Sequence, residues 1–149
     1  MSRAPTKVQR LMRLNAFHEE RADGALRIAV AQQTQAEKKH ASATTDIDRL
    51  GEWKTRGATN SALDLTVYAA ALELERLAMA RADALKKELL ERERSTQQAR
   101  DVLNTAASAT RVSTKRGKRE ALSAESEREK RTFDQISDVW LNNREQRRD

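Results

Sequence analysis

Small and apolar residues recur at alternating steps of four and three along the first arm of the chain. The series is Val8, Met12, Asn15, Glu19, Ala22, Leu26, Ala29, Gln33, Ala36, His40, Ala43, Ile47 and Leu50. That alternation is the heptad signature of a helix burying one narrow stripe against another helix. Asn15, Glu19, Gln33 and His40 interrupt the stripe, and Leu11, Leu14, Ala25 and Ile28 form a second one beside it. The alanines near the middle allow close approach but bury little area. A second helical pattern opens with its richest apolar segment: Leu63, Leu65, Val67, Tyr68, Leu72, Leu74, Leu77 and Met79. Ala78, Ala82, Leu85, Leu89, Ala99, Leu103 and Ala106 continue it at helical spacing. Glu88 to Arg92, Asp83 to Lys87 and Glu127 to Arg131 are i,i+4 pairs in the favourable order. The pattern weakens through Ser108–Lys118, where Gly117 interrupts a basic run. Glycine there costs about 1 kcal/mol relative to Ala, so a kink or local fraying is expected. Apolar spacing recovers at Leu122, Phe133, Ile136 and Trp140.

Between the two patterns lies the only cluster of turn-forming residues, Arg56-Gly57-Ala58-Thr59-Asn60-Ser61. Gly57 can take the left-handed conformation that ends a helix, and Asn60 or Ser61 can cap the next. Ser61-Ala62-Leu63-Asp64 fits the Ser-x-x-Asp helix start. The sequence therefore predicts an all-α protein, an antiparallel two-helix coiled-coil hairpin with its turn near residues 56–61. Arm one covers residues 5–55, with Pro5 in its first turn, and arm two covers 62–146. The arms are unequal. Either arm two overhangs with a projecting basic end, which is the favoured reading, or residues 56–76 form a broader tip.

Composition narrows the function. Aromatics make up 3% and charged residues 35% of the 149 residues, with four Gly and one Pro, too little for a thick core with compact loops. The same polarity would also suit a disordered chain. There is no cysteine, hence no disulfide framework and no Cys-based zinc site. The longest apolar run, residues 67–72, is far short of a membrane span. The basic start lacks the apolar core of a secretory signal, so the cytoplasm is the expected compartment. The net charge of +6 is the sum of +4 over residues 1–61, −2 over 62–93 and +4 over 94–149. In a hairpin the basic ends would lie together.

No catalytic constellation stands out. His18 and His40 have no partner at ligand spacing, and they read as stripe or surface residues. There is no phosphate loop and no nucleophile elbow. The reading is a non-enzyme without cofactor or metal. The cluster Lys115, Arg116, Lys118 and Arg119 could meet phosphates, but no aromatic residues interleave with it, so single-strand stacking has no platform. Trp53 and Tyr68 flank the turn, while Phe133 and Trp140 sit late in the chain. They read either as partner sites or as plugs against fraying.

In layout the chain resembles the small coiled-coil stalk proteins of bacterial type III secretion systems. These are the flagellar FliJ and injectisome YscO (SctO) type, and particularly the Hrp-type injectisome members, a virulence apparatus. The resemblance rests on the basic, Leu-bearing start Arg10-Leu11-Met12-Arg13-Leu14, the Ala/Gln-rich first arm and Leu50-Gly51-Glu52-Trp53 before the turn. It also rests on the Leu/Tyr segment from Leu65 to Leu77 and the late stretch Phe133-Asp134-Gln135-Ile136. It implies a stalk that inserts into the pore of the hexameric secretion ATPase and links it to the cytoplasmic domain of the export gate. Such proteins work at the cytoplasmic face of the inner membrane, and they also handle secretion chaperones. By position, Arg10, Leu11, Arg13, Leu14, Phe133, Ile136 and Trp140 would face the ATPase. Leu14, Phe133, Ile136 and Trp140 would form one patch framed by Arg10, Arg13 and Arg144. Leu50, Trp53, Tyr68 and Leu72 would face the gate. The alternatives are a basic coiled coil that binds nucleic acid or an acidic partner surface, and a self-associating structural coiled coil.

Overall fold

The computed structural model describes residues 6–59 and 65–146, and all of its regular structure is helical. Helix α1 runs over Lys7–Thr59 (53 residues) and helix α2 over Leu65–Gln146 (82 residues). The start of α1 is fixed by a reciprocal cap. The Gln9 amide donates to Thr6 Oγ1 (3.2 Å), and the Thr6 amide donates to Gln9 Oε1 (3.0 Å). The helix then continues through Gly57 to Thr59. Gly57 therefore does not end arm one, and the helical part of the predicted turn, Arg56–Thr59, belongs to α1. The caps proposed at Asn60 and Ser61, the Ser61–Asp64 helix start and the placement of Pro5 lie outside the described residues.

The chain divides into two compact units, each contributed by both helices. One is Arg21–Asn104, the other Met1–Glu20 with Thr105–Asp149. In the first, Arg92 Nη1 donates to Gln32 Oε1 (2.9 Å), Lys39 pairs with Glu88 (3.8 Å) and Lys54 with Glu75. Positions fall along α2 as they rise along α1, so the helices are antiparallel. Ala22, Ala29, Ala36 and Ala43, seven residues apart, are buried, and Leu26, Gln33, His40, Ile47 and Leu50 are half-buried between them. The predicted stripe of α1 is thus the seam. Glu88 and Arg92, expected to pair with each other, reach across it to α1 instead.

Along α2 the seam passes through Ala71, Glu75, Ala78, Ala82, Leu85, Leu89, Arg92, Thr96, Ala99 and Leu103. The large residues that open this helix are not part of it. Leu65, Val67, Tyr68, Leu72, Leu74, Leu77 and Met79 are all exposed, Leu65 at 77%. Heptad stepping back from Ala82 lands on 78, 75 and 71, and the seam follows that period whatever the size of the side chains there.

Thr96 is the most deeply buried residue of this unit, 1% exposed, and its hydroxyl has no hydrogen-bond partner. A buried unsatisfied hydroxyl costs about 1–3 kcal/mol. Thr96→Val keeps the β-branched shape and removes that cost. It is expected to raise stability by about 1–2 kcal/mol, read as a higher denaturant midpoint at unchanged slope. A lower midpoint would show that the hydroxyl is solvated.

In the other unit, Asn15 Nδ2 donates to the Ala109 carbonyl (3.2 Å), so this polar interruption of the stripe is an interhelical contact. Thr110 and Ser113 sit in the seam with their hydroxyls donated to the carbonyls of Ala106 and Thr110. Gly117 produces no break, since α2 runs through it to Gln146. A Cβ at Gly117 would lie 2.5 Å from Met12 Sδ and 3.6 Å from Val8 Cγ1. The glycine is a notch that admits the Met12 side chain, which explains its place in a helix it otherwise weakens. Beyond it, α2 residues 118–144 are exposed apart from half-buried Ser137.

Candidate functional site: two exposed apolar faces

The first face lies on the extension of α2 beyond Gly117. Phe133, Ile136 and Trp140 follow each other at steps of three and four, so they share one side of the helix. They are 71%, 63% and 60% exposed. Val139 and Leu141 flank Trp140 and are also exposed. Sequence reasoning passed over these two, although their adjacency to Trp140 was visible. The Arg144 guanidinium stacks on the Trp140 ring, 5.4 Å from its centroid.

Arg10, Leu11, Arg13 and Leu14 are exposed on α1 of the same unit. They do not join that patch. Asn15 is level with Ala109, and Met12 with Gly117. Phe133 therefore lies sixteen residues beyond the Met12 level, about 24 Å along the helix at 1.5 Å per residue. The expected cluster of Leu14 with Phe133, Ile136 and Trp140 is corrected accordingly: Arg144 borders the aromatic face, and Arg10 and Arg13 do not. Periodicity locates a stripe on one helix but leaves open the offset between two helices.

The second face lies at the start of α2, in the unit Arg21–Asn104. Leu65, Tyr68, Leu72 and Met79 fall on one flank of the seam, and Val67 and Leu74 on the other. Trp53 on α1 is half exposed. Leu50, grouped with these by resemblance, is instead half-buried in the seam, where it packs towards α2. Lys54 and Glu75 form an ion pair there, with side chains only 23% and 18% exposed. On the open surface nearby, the Arg76 guanidinium makes two hydrogen bonds to Glu73 (2.6 and 3.0 Å). They hold the Glu73 carboxyl below its ordinary pKa and raise that of Arg76.

Among the described residues, no group of His, Cys, Asp or Glu is arranged to hold a metal ion, and no helix is long and apolar enough to cross a membrane. His18 is an edge-to-face neighbour of Phe17 (centroids 6.0 Å apart), and His40 is a half-buried seam residue. Lys115, Arg116, Lys118 and Arg119 are exposed around the Gly117 notch. No described protein family, curated protein or solved structure matches this chain.

Proposed function

We propose that this chain is a non-enzymatic stalk and coupling protein of a type III secretion apparatus. It engages the hexameric secretion ATPase through the α2 extension and the export gate through the apolar face at the start of α2. The observation that carries this reading is the uncovered stripe of Phe133, Ile136 and Trp140 on a helix extending beyond its α1 partner. Large aromatic and aliphatic side chains held out on a single helix are the anchors that grooves accept. Arg144, stacked on Trp140 at the edge of that stripe, suits an acidic group on the rim of such a groove. A lone helix has no rotational symmetry, so each subunit of a surrounding ring would meet a different set of side chains. The ring's equivalence would be broken, and nucleotide turnover could be linked to one direction of motion. The setting would be the cytoplasmic face of the inner membrane, with secretion chaperones as further partners.

The test uses the full chain with a purified hexameric secretion ATPase from the same source. Copurification together with faster ATP hydrolysis is expected, and the absence of both overturns the reading. Trp53→Ala with Tyr68→Ala is expected to leave hydrolysis activated while lowering secretion in cells. If that pair abolishes activation and changes at the α2 extension do not, the assignment of the two faces is reversed.

A further inference from the structure

We propose that the α2 extension pairs antiparallel with the same extension of a second copy of this chain, making the free protein a homodimer. This goes beyond the coupling role and does not depend on it. Glu129, Phe133, Ile136, Trp140 and Arg144 follow at steps of four, three, four and four, placing all five on one face of α2. That face does not continue the intramolecular seam. From Gly117, a seam residue, to Phe133 is about 4.4 turns at 3.6 residues per turn, nearly half a turn out of phase. The stripe therefore points away from the side of α2 that meets α1, and it needs a different cover.

The order of residues along the stripe says what cover fits. Read in either direction it runs charge, aromatic, Ile, aromatic, charge, and the two terminal charges are opposite in sign. Laid antiparallel on a copy of itself and centred beside Ile136, it sets Ile136 against Ile136. Phe133 then meets the partner's Trp140, and Glu129 meets the partner's Arg144. The intervals from Glu129 to Phe133 and from Trp140 to Arg144 are equal, so both pairs come into register together. A parallel arrangement would set Glu129 on Glu129 and Arg144 on Arg144, which like-charge repulsion disfavours. Asp134 and Asp138 lie off this face and do not oppose the antiparallel pairing. Arg144 already lies over Trp140 at 5.4 Å, where the guanidinium can keep its stack and still present its edge to a carboxylate. Three large apolar side chains per copy, each more than half exposed, make a small interface, so reversible association is expected.

Sedimentation equilibrium of the full chain, from micromolar to submillimolar concentration, tests this without any secretion component. The expected mass approaches twice the 16.9 kDa of one chain. Glu129→Arg alone and Arg144→Glu alone should each weaken association by about tenfold or more, because each places like charges opposite one another. The two reversals combined should restore it to within about threefold of the parent. A monomer at every concentration overturns the proposal. So does a dimer that the single reversals leave intact, or one that the combined reversal fails to restore. Because no ATPase is present, either result leaves the coupling reading to its own test.

Discussion

Replacing Phe133 and Trp140 together by Ala is expected to abolish activation of the secretion ATPase while leaving the helix content of the chain unchanged. Both side chains are largely solvent-exposed, so their loss removes no packing within the chain. Alanine is the better helix former at both positions, so the backbone of the extension should not fray further. The cost falls on the partner. Buried aromatic anchors typically carry about 2 kcal/mol or more each. The pair would then weaken binding by roughly three orders of magnitude at 1.4 kcal/mol per factor of ten. Hydrolysis rates titrated with the variant, beside circular dichroism, check the two halves of the claim. Unchanged activation would mean that these aromatics do not anchor the ATPase. Glu129→Arg gives a useful contrast, since it disrupts self-association while keeping both aromatic anchors.

The second large effect is expected at the seam. Ala36 is 3% exposed, and pairing of Lys39 with Glu88 and of Gln32 with Arg92 brings Leu89 level with it. Ala36→Leu would place a large side chain where the helices approach on a methyl group. Overpacking of this kind costs about 1–3 kcal/mol. Leu89→Ala, which empties the opposite position, should be destabilising on its own. Combined, the two exchange large for small across the seam and conserve its volume. The double variant should then be more stable than the sum of its parts by about 0.5–3 kcal/mol, the range for residues in contact. Denaturant midpoints of the four proteins decide the matter. Simple additivity would mean that Ala36 and Leu89 do not face each other.

The α1 seam was fully legible in the sequence, because a heptad period survives polar interruptions. Asn15, Glu19, Gln33 and His40 keep the spacing, and all are half-buried. The α2 seam was read only in part. Its polar members Glu75, Arg92, Thr96, Thr110, Ser113 and Gly117 carry no apolar signal. Meanwhile the large residues from Leu65 to Met79 drew attention to the flanks. Extending the period of Ala78, Ala82, Leu85 and Leu89 in both directions would have found those members. The cap at Thr6 was equally visible as Thr-x-x-Gln. The aromatic face of α2 was identified by residue, but its distance from Leu14 was not. That distance depends on which residues lie opposite each other, as at Met12 and Gly117, and a one-helix pattern does not encode it.

The alanine seam also shapes how stability responds to temperature. Apart from Val8, the buried apolar residues among those described are alanines: Ala22, Ala29, Ala36, Ala43, Ala71 and Ala82. Unfolding therefore newly hydrates little hydrocarbon, and that hydration is what makes the heat capacity of unfolding large. A value below the usual ~12–15 cal/mol/K per residue is expected in calorimetry. The stability curve would then be shallow, with a low maximum, a gradual decline on warming and little weakening in the cold.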